Sequence, residues 1–334
     1  MIWYEEGKNT DIIVSTRIRL ARNIRKYPFP NAMTKAQMEQ ATKEITSAIT
    51  GGNSVLANNF TTYHIGTLNE IDRGSLIEKH LISPELGENS SVLVSEDKSM
   101  SIMLMEEDHI RLLVIMGGPA LDEAWDLANK VDDLLEESME FAFHKDLGYL
   151  TACPTNTGTG LRASVMMHLP ALTMTNNMEK IISSASSLGI AIRGLYGEGS
   201  KAYGALYQIS NQVTTGMTEQ ELIEKLKNIV MQIKKHEEST IKRLLSEKKD
   251  YLEDRLWRSY GTLKYARSLS SAESKSLISD VILGKNLGII ENEGKNHLKL
   301  LIETEPYTLN IGEEKILSPD ERDKKRAAII RQSV

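Results

Sequence analysis

The chain of 334 residues is 40% hydrophobic and 26% charged, with a formal net charge of −6 and a single cysteine. That length allows one large domain plus a smaller one, and the acidic balance argues against general nucleic-acid binding, which needs a basic surface. A lone cysteine excludes an intrachain disulfide framework. No apolar run approaches the ~20 residues of a membrane-spanning helix, and the first residues, MIWYEEGKNTD, lack the regions of a signal peptide. We therefore expect a cytoplasmic protein that binds neither nucleic acid directly nor a membrane.

The first third of the chain alternates predicted strands and helices. Residues 12–20 are rich in β-branched side chains and predict a strand. Thr34 predicts the N-cap of a helix that runs to about Ile49, and residues 68–81 predict a second helix. Apolar runs separated by short polar turns then predict an antiparallel meander of three strands, 91–95, 101–105 and 110–116.

Helices and loops follow the meander. Pro119 suits the first turn of a long helix that is predicted to end near Phe143. Residues 153–172 indicate a loop that runs into another helix, and residues 175–189 indicate a further helix that ends at Gly189.

The last part of the chain is mainly helical. Residues 190–211 indicate a glycine-rich loop between two strand-like flanks. From Thr218 onwards apolar residues recur at helical spacing. Beyond a soft boundary near 245–255, the pattern indicates a bundle of short helices, the last of which begins with a capping serine and a first-turn proline at 318–319.

The stretch STRIRLAR, residues 15–22, places two arginines on one side of the first strand. Side chains alternate along a strand, so Arg17 and Arg19 point the same way. Two guanidinium groups on one face repel each other, and a polyanion between them removes that cost because guanidinium forks match phosphate oxygens. Taken alone, the stretch fits a solvated sheet face with ordinary ion pairs better.

Two further stretches combine charged residues with turns. EEDHIR, residues 106–111, puts Glu107 and Arg111 at a turn between two apolar strands. Residues 153–172 put Arg162 just inside the predicted helix start, where free backbone N–H groups attract anions. Each stretch is also compatible with an ordinary polar turn.

The stretch RGLYGEGS, residues 193–200, supplies Arg193 and then Glu198 on a loop that its glycines allow to close. The chain contains neither a G-x-x-x-x-G-K-[ST] loop nor the H-R-D and D-F-G motifs of protein kinases. A nucleotide site in this chain would therefore have to use arginines instead of a phosphate-binding loop.

Together these motifs resemble the catalytic domain of the phosphagen (guanidino) kinases. STRIRLAR, LIEKH, EEDHIR, CPTNTGTGLRASV and RG…E occur in family order over roughly residues 11–245. Within that family the chain is most similar to the bacterial protein-arginine kinases. STRIRLAR begins at residue 15, so we expect no helical N-terminal domain such as small-molecule members carry. The C-terminal part contains RDKKRA, residues 322–327, which matches an RDxxRA motif of that branch.

The resemblance implies an α+β fold: a catalytic domain over 1–250, with an antiparallel sheet flanked by helices, and an all-helical C-terminal domain over 251–334. It also implies that five arginines bind the phosphates of ATP: Arg17, Arg19, Arg111, Arg162 and Arg193. By the same resemblance, Glu107 and Glu198 hold the substrate guanidinium. His80, in LIEKH, lies near the adenine, and Cys153 is the reactive cysteine.

The residues also permit less specific interpretations. A lone cysteine is most often a small buried hydrophobe, and RDKKRA is most simply a charged, solvated helix face. The resemblance instead implies that Arg322, Asp323 and Arg326 form a receptor for phosphoarginine. It implies ATP and Mg²⁺ as cofactors, with the metal held mainly by nucleotide oxygens and water, because the sequence offers no dedicated set of protein ligands.

The function that the resemblance implies is ATP-dependent phosphorylation of protein arginines, which marks proteins for the ClpC–ClpP protease and inactivates the stress repressor CtsR. Implied partners are proteins with exposed arginines, an activator, McsA, and a second copy of the chain. Two alternatives stay open: a kinase of free arginine or another small guanidino compound, and a non-catalytic adaptor that binds phosphoarginine.

Overall fold

Antiparallel strands form one large sheet at the centre of the protein. The computed structural model describes Tyr4 and residues 12–51, 59–194, 203–291 and 297–334. The sheet strands are β1 (Ile13–Arg22), β2 (Phe60–His64), β3 (Ser91–Ser95), β4 (Met100–Leu104), β5 (Ile110–Gly117), β8 (Leu161–His168), β9 (Ile190–Arg193) and β10 (Leu206–Asn211), with β6 (Phe143–His144) and β7 (Gly148–Tyr149) forming a separate hairpin. Across the sheet the order is β2-β3-β4-β5-β1-β8-β10-β9, and neighbouring strands are antiparallel.

Helices surround the sheet and continue beyond it. In the described ranges they are α1 (Lys35–Thr50), α2 (Glu70–Glu78), α3 (Leu121–Ser138), α4 (Pro170–Met174), α5 (Met178–Ser187), α6 (Glu219–Glu247), α7 (Lys249–Tyr265), α8 (Ser271–Asn286), α9 (His297–Glu303) and α10 (Pro319–Ser333). The caps predicted at Thr34 and Ser318 form, because each side chain accepts a hydrogen bond from the backbone N–H three residues later, and Thr218 caps α6 in the same way. The mixed α+β class and the antiparallel meander are confirmed.

The two faces of the sheet differ in chemistry. Alternate side chains of the central strands, such as Ile18, Leu112 and Val165, are buried in the main core with residues of α1, α3, α5 and α6. The opposite face carries Arg17 and Arg19. One end of this second face is covered by α7, α8 and α10, which share a separate hydrophobic cluster with residues of β1, β5 and β8. The arginine-bearing centre of the face therefore lies beside the C-terminal helices.

Arg22, the third arginine of STRIRLAR, lies on the opposite side of the strand from Arg17 and Arg19 because side chains alternate along a strand. Arg22 lies on the core side, where its Nε and Nη2 donate to Asp132 Oδ2 at 3.0 and 2.7 Å. Its guanidinium lies 3.6 Å from the ring centroid of Tyr149. Because both charges are buried and paired, Arg22 ties β1 to α3 and takes no part in the polar face.

Two predicted helices are shorter than expected. The helix after Pro119 ends at Ser138, not near Phe143, because Met139 is extended and Phe141 is drawn into the core in a bridge with Ile24. The helix predicted over 68–81 spans only Glu70–Glu78. Among the described residues, none of the helices combines the length and apolarity that crossing a lipid bilayer would require.

The helix predicted to start near Arg162 is wrong. Residues 161–168 form β8, which is hydrogen-bonded to β1 on one side and β10 on the other, and α4 begins only at Pro170. Gly158 and Gly160 adopt positive φ just before the strand and produced the loop-like pattern. Arg162 is therefore presented by a strand.

A buried carboxylate in α6 is expected to make stability depend on pH. Glu237 is fully buried and accepts hydrogen bonds from the N–H groups of Ala171 and Leu172. Burial raises its pKa from 4.5 to about 7, which the two hydrogen bonds only partly oppose. A raised folded-state pKa favours the folded state below pH ~4.5, and this contribution is lost as the pH rises through ~7.

Glu237→Gln is therefore expected to remove about 3 kcal/mol of the fall in unfolding free energy between pH 5 and 8. Urea unfolding at the two pH values measures the difference. Glu238→Gln, at a half-exposed neighbouring position, is the matched control and should retain the wild-type slope. If the unfolding free energy of Glu237→Gln falls as much between pH 5 and 8 as that of wild type, Glu237 does not titrate in this range.

Candidate active site

A cleft of about 610 Å³ opens over the polar face of the sheet. Four arginines from three strands line it: Arg17 and Arg19 of β1, Arg111 of β5 and Arg193 of β9. Part of the remaining wall comes from the end of α2 and the segment behind it, including His80 and Ser83, and part comes from the EEDHIR turn and β10. Positive charge is thus concentrated in one cleft of a chain whose net charge is −6.

Strand register brings the fifth predicted arginine to the same face. Arg19 lies directly opposite Arg162 of β8, and Arg17 lies opposite Ser164. Directly opposed residues of antiparallel strands share a face of the sheet. Arg162 Nη2 also donates to Asn156 Oδ1 at 3.4 Å, which links it to the CPTN turn. The sheet therefore places all five arginines on one side.

Burial and crowding among these cations lower the pKa values of the two arginines of β1. Burial and the neighbouring Arg111 lower the pKa of Arg17 to about 10. Burial and the charges of Arg111, Arg17 and Arg162 hold the pKa of Arg19 well below its usual value. The Nε of Arg19 is buried and has no hydrogen-bond partner within the part of the chain that the structure describes. An anion with several oxygens would relieve both the repulsion and the unmet donor.

Glu106 is a cleft residue that was not among the predicted site residues. Its two carboxylate oxygens accept hydrogen bonds from Arg111 Nη1, at 2.6 and 2.5 Å. The carboxylate also accepts one from the Ser83 hydroxyl. Burial alone would raise the pKa of Glu106, but Arg111 and Ser83 outweigh it and hold the pKa below the ordinary value. Glu106 therefore stays ionised and fixes the orientation of Arg111. The adjacent glutamates of EEDHIR are the sequence signal for this residue, but the sequence alone does not show which of the two pairs with Arg111.

Glu107 and Cys153 are neighbours in the structure. Glu107 is exposed at the cleft wall and accepts a hydrogen bond from the Cys153 thiol. Partial burial, then the charges of Asp108 and Glu106, raise the pKa of Glu107, while Arg111 opposes the shift. A carboxylate with a raised pKa accepts a proton more readily.

The position of Cys153 is fixed by a buried neighbour of Glu107. Asp108 Oδ1 accepts hydrogen bonds from the backbone N–H of Ala152 and from Asn23 Nδ2, both at 2.7 Å. The Cys153 Sγ lies 3.0 Å from the Thr155 hydroxyl. The EEDHIR turn therefore holds the CPTN turn directly, which brings residues 107 and 153 together.

The second predicted carboxylate, Glu198, falls in residues 195–202, which lie outside the described residues. The strand that leads to it, β9, ends at Arg193, and Arg193 lines the cleft. The role of Glu198 therefore stays a prediction.

His80 lies in the cleft just after α2, not within the helix. It occupies the left-handed region with φ 59°, and the N–H groups of His80 and Leu81 close the helix end on the carbonyls of Ile77 and Leu76. Burial, Arg17 and Lys275 hold the pKa of His80 well below its usual value, so the imidazole is neutral near pH 7. A neutral imidazole suits contact with an uncharged base better than with a phosphate.

The RDKKRA residues lie on α10 and are not among the residues that line the cleft. Arg326 is almost fully buried and donates to the carbonyls of Thr304 and Leu269, at 2.9 and 2.7 Å, and to Asp323. Arg322 is half-buried and donates to the Leu317 carbonyl at 3.0 Å. In this conformation Arg326 connects the C-terminal helices, while Arg322 and Asp323 are the more accessible members of the motif.

The cleft offers phosphate ligands rather than metal ligands. Within the described ranges, no group of three or more histidine, cysteine, aspartate or glutamate side chains is arranged to hold a metal ion. An arginine-lined cleft on an antiparallel sheet, with a glutamate beside a cysteine at its wall, is suited to an enzyme that transfers phosphate between a nucleotide and a guanidino group.

Comparisons with known proteins agree with that class. The family model described as ATP:guanido phosphotransferase, C-terminal catalytic domain, matches residues 38–240, and the model described as Protein-arginine kinase McsB C-terminal domain matches residues 249–334. The chain belongs to the ATP:guanido phosphotransferase family and, within it, to the protein-arginine kinases.

Relatives span almost the whole chain. A protein-arginine kinase of Brevibacillus brevis is 45% identical over 331 residues, which cover 98% of this chain and 93% of that protein. One from Caldanaerobacter subterraneus is 44% identical over 323 residues, which cover 96% of each. Among solved structures, a lombricine kinase matches with a TM-score of 0.63 and 26% identity, over 70% of this chain and 68% of that chain. The duplicated taurocyamine kinase of Schistosoma mansoni matches with a TM-score of 0.61 and 26% identity, over 73% of this chain and 36% of that one.

Proposed function

We propose that this chain is an ATP-dependent protein-arginine kinase, which transfers the γ-phosphoryl group of ATP to arginine side chains of proteins. The observation that carries the proposal is the convergence of five arginines on one sheet face, with Glu107 at the wall of the same cleft. The family to which the chain belongs supports the same reaction.

The arginine face would stabilise the charge of the transferring group. The phosphates of ATP carry several negative charges, and the transition state spreads charge over the equatorial oxygens of the γ-phosphoryl group. Arginines fixed in a partly buried sheet face neutralise that charge without reorganising. The residues present fit the nucleotide, because the cleft is cationic and Arg19 Nε has an unmet donor. Mg²⁺, when bound, would further neutralise the phosphates, held by nucleotide oxygens and water.

Glu107 would act on the substrate arginine. A guanidinium has a pKa above ~12, so a carboxylate cannot deprotonate it in advance. Glu107 can instead hold its plane through paired N–H···O bonds and accept one proton as the new N–P bond forms and the bond from the γ-phosphorus to the bridging oxygen of ADP breaks. We propose Glu198 as the second carboxylate and Cys153 as a polar neighbour of the bound guanidinium.

Protein and small-molecule substrates are separated by one experiment. The protein is incubated with Mg-ATP and either free arginine or an unfolded arginine-containing protein, and products are read by ³¹P NMR at alkaline pH, where N–P bonds survive. We expect a phosphoarginine signal on the protein substrate. Turnover of free arginine without protein labelling would favour the small-molecule alternative, and labelling of neither would favour the non-catalytic adaptor.

The biological setting is proposed from the family. We propose that the chain acts in the cytoplasm under stress, with the activator McsA, phosphorylates the repressor CtsR and marks proteins for ClpC–ClpP. We also propose domains over 1–250 and 251–334, with Arg322, Asp323 and Arg326 of the second domain recognising phosphoarginine. A titration with free phosphoarginine tests that recognition directly, because binding should be lost in Arg322→Ala.

An exposed aromatic surface supports the proposed homodimer. On α7, Tyr251, Trp257 and Tyr265 are 61%, 49% and 70% exposed. Large aromatic side chains are enriched at protein interfaces and uncommon at such exposure on a monomer surface. We propose that this face of α7 contributes to the dimer contact, and sedimentation of Trp257→Glu beside wild type tests it.

A further inference from the structure

The C-terminal helical part grips the helix that leads into the cleft. Residues four apart along α2, among them Gly74 and Glu78, form a stripe that faces the segment around Tyr307. Glu78 lies at the end of this stripe: its Oε1 accepts from the N–H of Tyr307 at 2.8 Å, and its Oε2 accepts from the N–H and the hydroxyl of Thr308 at 2.7 and 2.8 Å. The ring of Tyr307 lies so close over Gly74 that a Cβ there would fall 2.2 Å from it.

The contact between Glu78 and residues 307–308 is buried and is made by hydrogen bonds. Glu78 is only 6% exposed, and its two oxygens receive three donors from one short segment. The carboxylate caps the start of the 3-10 turn Thr308–Asn310, where free N–H groups need acceptors. A buried carboxylate that satisfies three donors fixes both partners, because losing it would leave those donors unpaired.

Glu78 stands two residues before His80, in a helix end that carries strain. The left-handed position that follows a helix C-cap is usually a glycine, and here it is a histidine with φ 59°. A non-glycine residue pays about 1 kcal/mol or more for that conformation. The His80 ring lines the cleft, and so do Ile77, Ile82 and Ser83 on either side of it. Anchoring the last turn of α2 therefore determines where this wall of the cleft stands.

A second contact ties the same C-terminal segment to the cleft. Glu305 and Lys275 of α8 form a buried ion pair at 2.5 Å, with side chains 4% and 9% exposed. The charge of Lys275 reaches His80. Segment 305–308 thus makes two contacts near the cleft. Glu305 holds Lys275 in an ion pair, and Tyr307 and Thr308 hold the end of α2 through Glu78.

We propose that Glu78 is a positioning residue for the nucleotide: by clasping Tyr307 and Thr308, it holds His80 against the bound base, so that the C-terminal helical part completes the nucleotide site. This inference rests on the proposed kinase function. It assigns to residues 305–308 a role in nucleotide affinity that is separate from any recognition of phosphoarginine by α10.

Two substitutions test the clasp in the full-length protein. Glu78→Gln keeps the shape but removes the charge and places an amide N–H₂ against backbone donors. Thr308→Val removes only the hydroxyl donor. We expect the KM for ATP and the Kd of ADP to rise about tenfold in Glu78→Gln and about threefold in Thr308→Val. We expect kcat at saturating ATP and the KM for the protein substrate to stay within about twofold of wild type, because Glu107 and the arginine face are untouched.

The control is Thr50→Val, which removes an exposed hydroxyl of α1 that donates within its own helix to the Thr46 carbonyl. It should leave every constant unchanged. A purely structural role for Glu78 predicts a lower melting temperature with a wild-type KM for ATP, and that result in both variants overturns the proposal. A fall in kcat with an unchanged KM for ATP also overturns it. If Glu78→Gln does not fold, Thr308→Val alone decides. Absence of phosphotransfer by the wild-type protein would count against the proposed function, whereas the Kd of ADP still reports on the clasp.

Discussion

Glu107→Gln is expected to lower kcat for protein phosphorylation about 1,000-fold while leaving the fold and the Kd of ADP close to wild type. Glutamine keeps the size of the side chain and one acceptor oxygen. It cannot pair both oxygens with the guanidinium, and it cannot take the proton released as the N–P bond forms. Because Glu107 is exposed at the cleft wall, the expected effect on stability is small.

The control for this substitution is Glu88→Gln, an exposed glutamate in the turn before β3. Single-turnover labelling with radioactive ATP measures the chemical step in both variants, and circular dichroism confirms the fold. Wild-type labelling in Glu107→Gln would remove Glu107 from the mechanism. An increase in the Kd of ADP without a change in the labelling rate would assign Glu107 to nucleotide binding instead.

Arg19→Met is expected to lower kcat/KM for ATP about 1,000-fold and, at the same time, to raise the melting temperature of the unliganded protein by about 2–4 °C. Arg19 is the most crowded cation of the face, because Arg111, Arg17 and Arg162 all disfavour its charge. Its Nε has no partner in the described part of the chain. Methionine removes the repulsion and the unmet donor but leaves the phosphates without their central guanidinium. A site that is strained without its ligand gains stability when the strained group is removed.

Arg25→Ala provides the comparison, since Arg25 is exposed and its ion pair with Glu140 lies at the surface, with side chains 63% and 71% exposed. Surface pairs of this kind contribute little to stability, so activity and melting temperature should both match wild type. Calorimetry and steady-state kinetics on the three proteins give the answer. Lower stability together with full activity in Arg19→Met would mean that Arg19 is a structural residue like Arg22.

Strand alternation was the most informative part of the sequence. It predicted that Arg17 and Arg19 share a face, and the structure separates them from Arg22, which lies on the core side and pairs with Asp132. The meander and the capped helices followed from apolar periodicity and from hydroxyl residues at helix starts. These features are local, so each could be inferred from a few neighbouring residues.

The errors and omissions have physical causes. Glycines with positive φ before β8 made residues 153–162 look like a loop, and the hydrogen bonds to β1 and β10 that make Arg162 a strand residue come from distant parts of the chain. The same holds for Glu78 and Thr308, which lie 230 positions apart in the sequence yet share a hydrogen bond. No local pattern marks Glu78 as different from any other helical glutamate.

The central claim is that one cleft holds the phosphates of ATP on the arginine face and the acceptor arginine at Glu107. The most direct test is a crystal structure of the protein with ADP, Mg²⁺, nitrate in place of the transferring phosphoryl group and an arginine-containing peptide. The account predicts phosphate oxygens within hydrogen-bond distance of Arg17, Arg19, Arg111, Arg162 and Arg193, the base beside His80, and the peptide guanidinium on the Glu107 carboxylate. A nucleotide bound elsewhere, or a peptide arginine bound away from Glu107, would contradict it.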